Sequence, residues 1–70
     1  MPKLYSSRDI IKVLESNGFK FISQKGSHAK FYSVEYKATV IVPVNKKEIP
    51  MGTFSSIVRQ SKLTREDFEI

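Results

Sequence analysis

The sequence predicts an α+β fold in the order α-β-β-β-α with a short C-terminal helix, an antiparallel three-stranded sheet carrying its helices on one face. Three observations predict it. Two segments repeat apolar residues at helical spacing, three short segments between them are rich in β-branched and aromatic residues, and the first two of those are joined by the two-residue turn Gly26-Ser27. Connections this short allow antiparallel joins and exclude the long crossovers that parallel strands need.

The first helix opens at Ser6, an N-cap, with Asp9 three residues on to return a hydrogen bond to the cap amide and to place a carboxylate at the positive helix end. Ile10, Ile11, Val13 and Leu14 form its apolar stripe, and Asn17-Gly18 stops it. A strand follows from Phe19 to Lys25. Gly26-Ser27 suits a type II′ hairpin, which needs positive φ at its first central residue. The second strand, His28 to Val34, alternates His28, Lys30 and Tyr32 on one face with Ala29, Phe31 and Ser33 on the other; Phe31 reads as core.

Glu35-Tyr36-Lys37 is the next connection. Ala38 to Val44 is a strand by its β-branched content, with Val40, Val42 and Val44 sharing a face and Pro43, which lacks an amide donor, suited to an edge or strand end. Residues 45–50 form a charged loop. Phe54, Ile57 and Val58 then mark a second helix ending near Gln60, and Thr64 with Asp67 caps a short third helix that docks Phe68. Both main helices can pack on one apolar sheet face, which leaves the other face open.

A length of 70 residues predicts one domain over residues 1–70. The absence of cysteine removes disulfides, thiolate nucleophiles and cysteine-ligated zinc together, and fits a reducing compartment. No apolar h-region follows Met1 and no run approaches a membrane span, so a soluble, cytoplasmic protein is expected. Twelve Lys and Arg against seven Asp and Glu give a formal net charge of +5, suited to a polyanion.

His28 is the single histidine, at the start of a strand after a tight turn and flanked by Lys25 and Lys30. An imidazole exchanges protons near neutral pH, so it can take the proton of a ribose 2′-hydroxyl or deliver one to a leaving 5′-oxygen, while nearby ammonium groups offset phosphorane charge. A metal site fails on its ligands: one His, no Cys, and carboxylates scattered over different elements. Gly18, Gly26 and Gly52 stand alone, so there is no phosphate loop and no cofactor is expected. Lysines and arginines interleaved with Phe31, Tyr32 and Tyr36 make the mixture a single-strand binder uses.

Gly18-Phe19, Gln24-Lys25-Gly26-Ser27-His28, Val40-Ile41-Val42-Pro43-Val44, the run from Gly52 to Gln60 and the closing Leu63-Thr64-Arg65-Glu66-Asp67-Phe68 stand in the order and spacing of the HicA, or YcfA-like, toxins, and the chain resembles that family from about Ser6 to Phe68. The resemblance implies a double-stranded-RNA-binding-domain-like fold, a ribosome-independent mRNA interferase that inhibits translation, and a HicB-type antitoxin as partner. It implies His28 as the catalytic residue and Gly26 as the turn glycine; the residues expected to bind RNA around that histidine are Lys25, Gly26, Ser27, Lys30 and Tyr32. Two departures stand out. Asn45 occupies the place after the third strand where many members carry a second histidine, and Met51-Gly52-Thr53-Phe54-Ser55-Ser56 holds none of the lysines by which double-stranded-RNA domains grip duplex phosphates. Single-stranded RNA is therefore the expected substrate. Two other readings are a non-catalytic RNA-binding module of the same fold and an interaction protein whose open sheet face docks an acidic partner.

Overall fold

The computed structural model describes residues 4–69; Met1 to Lys3, read above for a signal sequence, and Ile70 lie outside them. The elements are α1 (Ser7–Ser16), β1 (Lys20–Lys25), β2 (His28–Ser33), β3 (Ala38–Pro43), α2 (Met51–Ser61) and a C-terminal 3-10 helix (Arg65–Phe68). This is the expected order, with an antiparallel sheet β1-β2-β3.

The sequence signals at the ends of α1 act as expected. Ser6 and Asp9 form the reciprocal capping box. Gly18 has φ +88, and the N–H groups of Gly18 and Phe19 bond back to the carbonyls of Glu15 and Leu14, a Schellman closure that turns the chain directly into β1. Gly26 has φ +60 while Ser27 stays out of the left-handed region, the combination a II′ turn requires, and Lys25 pairs with His28 across it.

Residues of β2 and β3 alternate as a half-buried sheet must. Ala29, Phe31, Ser33, Ala38, Val40 and Val42 face inward, where they pack with Ile10, Val13 and Leu14 of α1, Phe54 and Ile57 of α2, and Phe19, Ile49, Leu63 and Phe68. Phe54 links the layers: Tyr5 stacks on it at 5.1 Å and Phe68 meets it edge-on at 5.5 Å. Thr64 and Asp67 form a second capping box that holds the 3-10 helix against this cluster.

Three boundaries and one helix type differ from expectation. Phe19 precedes β1 and is buried under α1; Val34 belongs to the following turn and is exposed; Val44 lies beyond β3; and the last helix is 3-10. The larger departure is β1, exposed along its whole length. Its register shifts between Phe21 and Ser23, a bulge at Ile22. Phe21 and Ile22 are each 54% exposed, although Phe21 still meets Phe31 edge-on at 5.9 Å.

The two edges of the sheet are treated differently. The outer edge of β3 is covered by α2, where Gln60 Oε1 accepts a hydrogen bond from the Ile41 amide at 3.1 Å. Because the strand period is two, the nitrogen of Pro43 points outward like that of Ile41, so proline here removes no ladder bond. No helix of the described residues is long and apolar enough to cross a membrane.

Candidate functional site

His28 begins β2 immediately after the hairpin turn, opposite Lys25 on one side and Pro43 on the other. Inward positions of β2 are the odd-numbered ones, so His28, Lys30 and Tyr32 stand on the open face. His28 is exposed, and no protein group among the described residues hydrogen-bonds its imidazole. The ring is free to meet a ligand.

It lines a groove of 370 Å³ where β2 and β3 meet α2, completed by Ile41, Pro43, Lys46, Pro50, Thr53, Ser56, Ile57 and Gln60. The approach of α2 to the β3 edge creates this groove. Polar groups in it have defined roles. Gln60 spends its carbonyl oxygen on the Ile41 amide, so its NH₂ is left as a donor. Ser56 Oγ accepts from Arg59 Nη2 at 3.2 Å, which leaves its hydroxyl proton to donate. Thr53 lies one turn earlier on the same helix, and Lys46 adds an ammonium from the loop after β3. No side chain of the described residues caps the first turn of α2, and its N-cap Pro50 and Thr53 line the groove, so the positive end of the helix adds to the field there. One proton-exchanging ring beside a cation and several hydroxyl and amide donors is a set suited to a phosphodiester.

The loop that carries Lys46 is held by Ser7, a buried polar residue at the start of α1. Its hydroxyl donates to the Pro43 carbonyl and accepts from the Lys46 amide at 3.0 Å, while its own amide bonds the Lys46 carbonyl at 2.9 Å. Asn45 takes φ +61 between them, a left-handed conformation that asparagine tolerates better than most residues.

The other residues expected at the site divide. Lys25, Gly26 and Ser27 form the hairpin end beside His28, with the Gly26 carbonyl held by Gln24 Nε2 at 3.0 Å, and Lys30 follows on the same face. Tyr32 is four residues along, about 13 Å at strand rise, and lines a separate hollow with Gly18, Lys20, Ile22, Val34 and Glu35. The structure therefore does not bring Tyr32 to the His28 groove. Phe31 is core and offers no face for base stacking, and half-buried Tyr36 has one ring face stacked on Phe19 at 5.9 Å. Thr53, Ser56 and Gln60 were not singled out by sequence reasoning. Their spacing of three and four along α2 was the available signal, a polar stripe beside the apolar stripe of Phe54 and Ile57.

No curated protein matches the sequence. The profile of one family, described as the HicA toxin of bacterial toxin-antitoxin, matches residues 7–63. That span runs from the helix holding the Lys46 loop, through the whole sheet and α2, to Leu63, and the chain belongs to the HicA toxin family of bacterial toxin–antitoxin systems.

Proposed function

We propose that this toxin is an mRNA endoribonuclease that inhibits translation independently of the ribosome, with His28 as general acid/base, acting in the cytoplasm and restrained by a HicB-type antitoxin. The observation that carries the reading is the unengaged imidazole of His28 in a groove shared with Lys46, Thr53, Ser56 and Gln60. The His28 ring takes the proton from a ribose 2′-hydroxyl, whose oxygen attacks the adjacent phosphorus. The bond from phosphorus to the 5′-oxygen breaks, and that oxygen receives its proton from the imidazolium or from water. Products end in 2′,3′-cyclic phosphate and 5′-hydroxyl.

Lys46 and the donors of α2 stabilise charge on the non-bridging oxygens. Lys25, Gly26, Ser27 and Lys30 border the reacting linkage on the open face and contact the strand, and Tyr32 serves a base farther along. A single histidine, no cysteine and scattered carboxylates make a poor metal donor set, so the reaction is metal-independent.

The test compares purified wild type with His28→Ala on single-stranded RNA in the presence of EDTA. Cleavage is expected to fall by about 10²–10⁴, the typical worth of general acid–base catalysis, with the melting temperature unchanged because the residue is exposed. A 2′-deoxy substitution at the cleaved nucleotide should block the cut. Undiminished cleavage by the variant would overturn the assignment, and RNA binding without cleavage by the wild type would make the protein an RNA-binding module.

A further inference from the structure

The His28 groove has a volume of 370 Å³ and is bounded on one side by Lys46. Beyond Lys46 lies a second concavity of 710 Å³ between α1 and the loop after β3, whose lining includes Arg8, Ile11, Lys12, Val44, Lys46 and Lys47. The second concavity does not include His28, so it is no part of the catalytic groove, but Lys46 lines each.

Its charge is one-sided. Among the residues lining it, Arg8, Lys12, Lys46 and Lys47 are joined by one carboxylate, Glu15, while Lys12 also borders a separate hollow with Asp67, and no hydrogen bond or ion pair among the described residues engages any of those four cationic groups. Unpaired cations in a concave wall favour an anion with several charges. The half-buried side chains of Ile11 and Val44 give the same wall an apolar strip. Phosphates set along an apolar strip match a single nucleic-acid strand, whose bases and sugars alternate with its charges.

The concavity is also fixed relative to His28. The three hydrogen bonds of Ser7 to Pro43 and Lys46 lock α1 to the loop, and Pro43 is the register partner of His28. The backbone that carries these cations is held by a buried serine at one end and by the sheet at the other, which pre-positions it for a continuous strand.

We propose that this α1 groove is a strand-binding subsite: RNA cleaved at His28 runs past Lys46 and lays its flanking phosphates along Arg8, Lys12 and Lys47. The inference rests on the endoribonuclease reading and extends it, since it makes the enzyme discriminate by length of strand. A dinucleotide reaches only the His28 groove; a long strand occupies both.

The experiment combines Arg8→Ala, Lys12→Ala and Lys47→Ala in one protein, leaving His28 and Lys46 intact. Cleavage of a dinucleotide should be unchanged, while KM for a long single strand rises and kcat stays. With His28→Ala added in parent and variant to prevent cutting, three lost phosphate contacts should remove about 2 from the slope of log K against log salt, so a fourfold rise in salt weakens the variant about 20-fold less than the parent. Amide resonances of Arg8, Lys12 and Lys47 in the His28→Ala parent should shift with the long strand and stay in place with the dinucleotide. Equal KM and equal salt slope in variant and parent would overturn the subsite while leaving cleavage at His28 intact. Retained RNA affinity with lost binding of an acidic antitoxin would assign the groove to a protein instead. Failure of the wild type to bind or cut any RNA would overturn this inference together with the reading beneath it.

Discussion

At the scale of single residues, Ser7 and Lys46 matter as much to the site as their distance in sequence hides. Ser7→Ala leaves the Pro43 carbonyl and the Lys46 amide without the hydroxyl that joins them. An unsatisfied polar group in a closed setting costs about 1–3 kcal/mol. At roughly 4–8 °C per kcal/mol for a domain of this size, the melting temperature should fall by roughly 5–20 °C, read by thermal unfolding. A melting point within a degree of wild type would mean that water replaces the hydroxyl. Lys46 lines the His28 groove, whereas Lys30 stands beside it on the open face with Lys25 near by. Lys46→Ala is therefore expected to reduce kcat/KM by about 10-fold or more, the worth of one charge-assisted hydrogen bond, and Lys30→Ala by less. Equal losses in the two variants would remove the distinction.

At the scale of elements, local signals carried the helices and the hairpin because each is decided within a few residues. The capping boxes at Ser6 and Thr64, the Gly18 closure and the Gly26 turn all lie where the sequence puts them. Ser6→Ala should lower stability by about 1 kcal/mol in a denaturant titration. One terminus is not ideal. Lys62 follows α2 with φ 63, a conformation that burdens any side chain, and Lys62→Gly should raise stability by about 0.5–1 kcal/mol after allowing for the added freedom of the unfolded chain. A drop in the denaturation midpoint would show that the lysine side chain makes up for its backbone. β1 was legible as a strand and not as an exposed one. Phe21 and Ile22 are adjacent, so strict alternation would send one inward, and the bulge at Ile22 lets both stay at the surface. A bulge depends on the partner strand and has no mark in this stretch of sequence.

At the scale of the whole molecule, the formal charge of +5 becomes a directional property once the cations are placed. Arg8, Lys12, Lys46 and Lys47 gather along one concavity of the described residues, which adjoins the His28 groove at Lys46. An acidic HicB-type antitoxin should be steered to that side, so its association rate should fall as ionic strength rises, and His28 should become protected in the complex. Stopped-flow association at several salt concentrations and the His28 ring resonances measure the two effects. A rate indifferent to salt, with unchanged His28 signals, would place inhibition elsewhere.

The sequence by itself determined the order of elements, the antiparallel hairpin, the inward and outward faces of β2, and the exposure of His28, because strand period, turn glycine and caps are local properties. It also marked Phe31 as core. Only the tertiary structure decided what stands around His28. The register brings Pro43 across from it, the passage of α2 over the β3 edge brings Thr53, Ser56 and Gln60, and Ser7 brings Lys46. Those neighbours are separated from His28 by up to 32 positions in the chain. Their meeting is set by how two apolar faces bury each other, a property of the whole core that no short window of sequence contains.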